Sequence, residues 1–281
     1  MQSATFTEKL ESRWARDTFL CVGLDIELAR IPEAIRKENS SIEEIIFAFN
    51  REIIDATADL VCAYKPNSAF YEAEGEAGAR ALARTVLYLK ETYADIPVIL
   101  DAKRADIGNT NAAYARAIFD ELGVDAVTVH PYLGKESLLP FLERKDKGII
   151  VLAKTSNPGS GEFQDLIVGE SGEPLYKQVA RHVADSWNEH TNCGLVVGAT
   201  YPEEIAEVRA LVGDMPLLIP GIGSQGGDAA TVATAGKDSR GKGIILSSSR
   251  DIIFASIEAD FAQRARTAAE AVLKDIRSAS L

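Results

Sequence analysis

Cysteine and histidine are scarce in this 281-residue chain, at three each, and the shortage removes several chemistries at once. Cys21, Cys62 and Cys193 lie far apart, each in or beside an apolar run. That is the pattern of buried, reduced thiols in a cytoplasmic protein rather than of a disulfide scaffold. His130, His182 and His190 form no H-E-x-x-H, and no paired C-x-x-C occurs, so no metal site is expected. A G-x-S-x-G elbow is missing, which leaves serine acyl transfer without support. No apolar run approaches the ~20 residues of a membrane span, and the opening MQSATFTEKLESRWARD lacks the basic-then-apolar order of a signal peptide. Positive charge is short as well: 30 Lys and Arg against 42 Asp and Glu give a formal net charge of -12. A nucleic-acid or anionic-membrane surface is therefore not expected as the main partner. A small anionic ligand stays possible, because repulsion is screened beyond roughly 10 Å and a few cations in a cleft can dominate there.

What is present is a rhythm. Short runs rich in Val, Ile and Leu alternate with longer segments of helical period. Strands are predicted at 19–24, 61–64, 98–100, 126–129, 148–153, 194–197, 216–219 and 243–246. Helices are predicted at 42–59, 75–93, 109–122, 136–144, 175–189, 202–211, 228–235 and 260–277. Near-continuous apolar strands separated by helices indicate parallel pairing with both faces covered. Eight such pairs without a low-complexity linker predict an α/β fold, a single (β/α)8 TIM barrel across residues 1–281, with a short helix near 7–16 closing its bottom. A doubly wound open sheet is the alternative, but the turn after the first strand, Gly23-Leu24-Asp25-Ile26-Glu27, carries no G-x-G-x-x-G.

Barrel chemistry sits at the C-terminal strand ends, and here those ends are polar or charged. Asp25 ends the first strand, Lys65 and Asn67 the second, Asp101 and Lys103 the third, Lys154, Thr155 and Ser156 the fifth, and Ser248, Ser249 and Arg250 the eighth. The segments before the strands read as plain turns. Asp101-Ala102-Lys103-Arg104-Ala105-Asp106 is the densest of these ends; on an extended strand Asp101 and Lys103 would share a face, with Asp106 following after the strand. The seventh strand runs into Pro220-Gly221-Ile222-Gly223-Ser224-Gln225-Gly226-Gly227, where glycines let backbone N–H groups approach an anion, and Arg250 stands at the next strand end. Together they predict a phosphate site. The long connection Asn157 to Asp165 is either a lid or a surface insertion. His130, ending the fourth strand, could face the site or be structural.

Asp101-x-Lys103-x-x-Asp106-Ile107-x-x-Thr110 resembles the signature of the orotidine 5′-phosphate decarboxylase family. Gly23-Leu24-Asp25, Lys65 in Tyr64-Lys65-Pro66-Asn67, the Pro220 to Gln225 loop and Arg250 follow in matching order. The context Thr155-Ser156-Asn157-Pro158-Gly159 and the chain length are similar to the longer bacterial type. The resemblance implies conversion of orotidine 5′-monophosphate to UMP, the last step of pyrimidine nucleotide synthesis, without a cofactor. It implies that Lys103 stabilises and protonates a C6 carbanion, that Asp101 sits beside the departing carboxylate, and that Lys65 holds Asp101 and the ribose. It implies ribose contacts for Asp25, a pyrimidine contact for Ser156, and phosphate contacts for Gln225 and Arg250. Asp106, Ile107 and Thr110 would reach a neighbouring subunit's site, making the active form a homodimer. Four other readings stand beside this one. The charges could be a buried structural ion network. A related barrel could act on a sugar phosphate through magnesium, which would place an acidic metal ligand where Lys65 stands; a Schiff-base aldolase would need a neutral lysine, whereas Lys103 flanked by acids should stay protonated. The rim could also bind a phosphate ligand without catalysis.

Overall fold

The computed structural model describes residues 4–170, 172–223 and 227–278. Its main sheet has eight parallel strands: β1 (Leu20–Gly23), β2 (Val61–Lys65), β3 (Ile99–Arg104), β4 (Ala126–Val129), β5 (Gly148–Lys154), β6 (Cys193–Val197), β7 (Leu217–Pro220) and β8 (Ile244–Ser248). Going round, the ladder runs β2, β1, β8, β7, β6, β5, β4, β3. Parallel bridges Tyr64 to Val98 and Asn67 to Asp101 join the two remaining edges, with Tyr64 N–H donating to Pro97 O at 3.1 Å and Asp101 N–H to Pro66 O at 2.9 Å. The predicted (β/α)8 barrel is therefore the observed one, and its closing seam passes through Asp101.

Seven strands are apolar and buried almost throughout, as strands covered on both faces must be. β3 departs from this: Ile99 and Leu100 are buried, but from Asp101 onward the strand opens to solvent. Its ladder with β4 slips between Leu100 and Arg104, and Lys103 takes a left-handed backbone with φ of 47°. The same-face expectation for Asp101 and Lys103 assumed an uninterrupted strand. A bulge re-aims Lys103 instead, and the two side chains still meet.

The opening helix, Phe6–Trp14, closes the bottom as expected. Thr5 and Glu8 form a reciprocal capping box at its start. Phe6 packs on Gly148 at the start of β5, Trp14 Nε1 donates to Ile244 O at 2.8 Å, and Lys9 pairs with Asp125 at 2.7 Å. Arg13 donates from Nε to Val61 O at 2.8 Å and from Nη2 to Ala58 O at 2.7 Å. With that end sealed, open space remains at the C-terminal ends of the strands.

Short elements not read from the sequence sit on the upper rim. Helix Ser68–Glu72 follows β2, capped by Asn67, whose Oδ1 accepts Ala69 N–H at 3.1 Å. Tyr71 from that helix donates its hydroxyl to Leu24 O at 3.0 Å, bracing the residue before Asp25. The long connection after β5 is folded: turns Pro158–Ser160 and Gly161–Gln164 lead into a two-stranded antiparallel ribbon, Ile167–Val168 with Glu173–Pro174. Among the described residues no helix is long and apolar enough to cross a membrane.

Candidate active site

A cavity of about 540 Å³ opens at the C-terminal ends of the strands. Asp25, Lys65, Asn67, Asp101 and Lys103 line one side, and Gly221, Ile222, Ser249 and Arg250 the other; Thr155, Ser156, Asn157 and Gln164 contribute from the connection after β5. Of the predicted site residues, Asp25, Lys65, Asp101, Lys103, Ser156 and Arg250 are therefore brought together. Gln225 lies outside the described residues.

The charged side is built around Asp101. Its Oδ2 accepts Lys65 Nζ at 3.1 Å, and its Oδ1 accepts Lys103 Nζ at 2.6 Å and Thr128 Oγ1 at 2.9 Å. The side chain of Lys65 is 5% exposed and that of Asp101 12%, whereas Lys103 is 48% exposed. Two of the three charges are thus fixed in the wall, and the third is an ammonium open to a ligand. Burial pushes the Asp101 carboxyl up, but Lys65 and Lys103, with the hydrogen bonds from Lys103 and Thr128, outweigh it and hold the acid well below the usual carboxylate range. Burial likewise pulls Lys65 down, while Asp101 and Asp25 override it and hold the ammonium above its ordinary value. Each ion keeps its charge because the other is there. Beside them, Asp25 Oδ1 is buried without a hydrogen-bond partner among the described residues, an acceptor aimed where a ligand hydroxyl could satisfy it.

Asp106, Ile107 and Thr110 do not line this cavity. Asp106 Oδ1 accepts the next residue's N–H, from Ile107, at 2.6 Å. Its own N–H donates to Asn111 Oδ1 at 2.9 Å, and Asn111 Nδ2 donates to Ser137 O at 2.6 Å. The turn is therefore tied to the fold, and Ile107 at its tip is 62% exposed. Lys154 does not line the cavity either: it is buried with its ammonium against Asp165 and 3.5 Å from Glu204. The structure adds Asn67, Thr128 and Gln164, which the sequence reading gave no role in binding. Thr128 had a visible signal, a lone hydroxyl inside the apolar run Ala126 to Val129. Gln164 had none; its Oε1 accepts Thr155 N–H at 2.9 Å, which ties the connection after β5 together where it lines the cavity.

On the opposite side, Gly221 and Gly223 take φ of 101° and 86°, values open to glycine at little cost. The loop closes on itself through Gly227 N–H to Gly221 O and Gly223 N–H to Gly227 O, each 3.3 Å. Gly23 is required for a different reason: a side chain there would run into Ser249, next to Arg250. Arg250 opens the helix Arg250–Ile253 and makes no ion pair among the described residues. Nor do three or more His, Cys, Asp or Glu side chains converge among those residues in a way that could hold a metal ion.

Comparisons with known proteins agree with this geometry. A family model described as orotidine 5′-phosphate decarboxylase / HUMPS family matches residues 18–265. The orotidine 5′-phosphate decarboxylase of Cellvibrio japonicus is 49% identical over 276 residues, 98% of this chain and 99% of that one. That of Herpetosiphon aurantiacus is 52% identical over 254 residues, 90% and 91% of the two chains. Among solved structures, OMP decarboxylase of Leishmania donovani superposes with a TM-score of 0.84 at 36% identity, covering 98% of both chains. The chain belongs to the orotidine 5′-phosphate decarboxylase / HUMPS family.

Proposed function

We propose that the protein decarboxylates orotidine 5′-monophosphate to UMP with its own side chains and no cofactor. The observation that carries this is the Lys65–Asp101–Lys103 array, with its one exposed ammonium, facing the glycine loop and Arg250 across a single cavity. Loss of CO2 leaves the bonding pair in an sp² orbital at C6, with no ring carbonyl placed to delocalise it. A fixed positive charge is the available stabiliser. Lys103 supplies it, then transfers a proton from Nζ to C6 as general acid. Asp101 faces the departing carboxylate, disfavouring bound substrate more than the transition state. Lys65 holds Asp101 and the ribose, and Asp25 Oδ1 accepts from a ribose hydroxyl. Ser156 reads the pyrimidine edge. Arg250 and Gln225 bind the phosphate, far from the reacting carbon, and their binding energy draws the lid segment closed.

The decisive assay follows the ultraviolet absorbance of orotidine 5′-monophosphate mixed with protein and excess EDTA. Rapid formation of UMP that survives EDTA is the expected outcome. A folded protein without turnover would redirect the reading to sugar phosphates with added magnesium, against which Lys65, a cation at the second strand end, already weighs.

The working form in this reading is a cytoplasmic homodimer, a location supported by three buried free thiols. The exposed Ile107 and its neighbour Asp106, with Thr110 in the first turn of the helix that follows, reach the partner's cavity, where Asp106 completes a Lys65–Asp101–Lys103–Asp106 array. Mixing two inactive variants, Lys103→Ala and Asp106→Ala, should therefore restore activity, since each mixed dimer contains one site with both native residues. Activity no greater than the sum of the separate variants would place Asp106 in its own chain's site or outside catalysis.

A further inference from the structure

Lys103 stands in a backbone conformation that side-chain-bearing residues rarely adopt, at a point where the ladder to β4 is interrupted. Its N–H does not go to a β4 carbonyl. It donates to Thr128 Oγ1 at 3.0 Å, and the same hydroxyl donates to Asp101 Oδ1 at 2.9 Å. One side-chain oxygen thus replaces a missing ladder bond and orients the carboxylate that holds the Lys103 ammonium. Thr128 is 1% exposed and comes from the strand beside β3, so nothing else competes for its position.

We infer that Thr128 is a positioning residue for the decarboxylation: its hydroxyl locks the β3 bulge and Asp101 together, and so sets where the Lys103 ammonium stands. Thr128 acts on the reaction through Lys103 and Asp101 rather than on the substrate. Without the hydroxyl, the Lys103 N–H loses its acceptor and Asp101 Oδ1 loses a donor, while the β-branched shape can be kept. The bulge is then free to shift on the order of 1 Å, and a displacement of that size at a reacting group can cost about 100-fold in rate. The inference rests on the proposed reaction for its kinetic form but has a second readout that does not.

The test compares Thr128→Val with Thr128→Ser in the full-length protein. The valine variant should lose about 100-fold in kcat, with KM for orotidine 5′-monophosphate little changed. Serine keeps both hydrogen bonds and should restore kcat to within a few-fold of wild type. A purely packing role predicts the reverse, valine tolerated and serine impaired by its lost methyl, and that result would overturn the inference. Equal activity of all three proteins would overturn it too. If the wild type itself turns nothing over, the proposed function fails, and thermal unfolding decides the structural half. Thr128→Val should lower the midpoint more with Lys103 present than in a Lys103→Gly background, where glycine accommodates the left-handed turn unaided. An identical drop in the two backgrounds would mean that Thr128 does not hold the bulge.

Discussion

Lys103→Ala should abolish measurable turnover, with a fall in kcat/KM on the order of 10⁴-fold, while the protein stays folded and still binds UMP. In the proposed reaction two contributions sit on this one ammonium. General acid catalysis is worth about 10²–10⁴, and loss of a preorganised electrostatic stabiliser about 10²–10³. They act on the same developing charge, so the loss is at least that of the larger. UMP affinity should change little, because UMP lacks the C6 carboxylate and keeps the phosphate and ribose. Residual activity within 100-fold of wild type would sink the proton-donor role. Lys103→Gly gives the complementary result. At φ of 47° an L-residue bears a cost of roughly 1–2 kcal/mol that glycine escapes. Both variants lose the same ion pair with Asp101, so the comparison isolates the backbone. The glycine variant should be inactive yet more stable than the alanine variant by about 1 kcal/mol in urea unfolding. Such a pair would show local strain retained for the sake of a side chain.

The limits of sequence reading fall at that same bulge. Alternating apolar runs and helical segments located all eight barrel strands, because burial on both faces leaves a dense Val, Ile and Leu signature. The polar strand ends of β1, β2, β3, β5 and β8 stand out against the bland turns below them, and ten of the eleven residues named at those ends, all but Lys154, line one cavity. A period of two carries no information about a slipped register, so the left-handed turn at Lys103 is hidden, and the lone hydroxyl of Thr128, visible in its apolar run, gives no sign that it bridges Lys103 N–H and Asp101. Lys154 shows that a charge at a strand end need not face the cavity. It ends β5 much as Lys103 stands near the end of β3, yet it is buried against Asp165 and Glu204, because the folded connection after β5 supplies it with a carboxylate that sequence distance conceals. The outward turn at Asp106 could not be foreseen from its own residues, since Asn111 and Ser137, which brace it, lie on later elements.

Asp101→Asn carries the other large effect, on stability as well as rate. Removing one member of a buried ion pair costs about 3–5 kcal/mol, mainly because the remaining charge is stranded. Here the stranded ion is Lys65, at 5% exposure and left with Asp25. The pH dependence follows from the two directions of shift. Asp101 is held low, so its contribution is present above the unfolded carboxyl value of about 4 and drains away as pH falls toward its folded value. Lys65 is held high, so its contribution is present below about 10.4 and is lost as pH rises past that toward its folded value. Wild type should therefore show a stability plateau between, and Asp101→Asn should lower that plateau and flatten its acid edge in urea unfolding across pH. Replacing the lysine as well, in Asp101→Asn with Lys65→Met, removes the stranded charge and should recover much of the loss, a strongly non-additive cycle. Additive losses would mean that the two ions do not act as a pair. The recovered double variant also bears on the oldest rival reading of these residues, a structural ion network. If the charges served only the fold, restoring stability would restore whatever activity the singles lost. In a catalytic array the double variant is stable and still fails to turn over substrate, because Lys103 has lost the carboxylate that positions it and the ribose has lost Lys65.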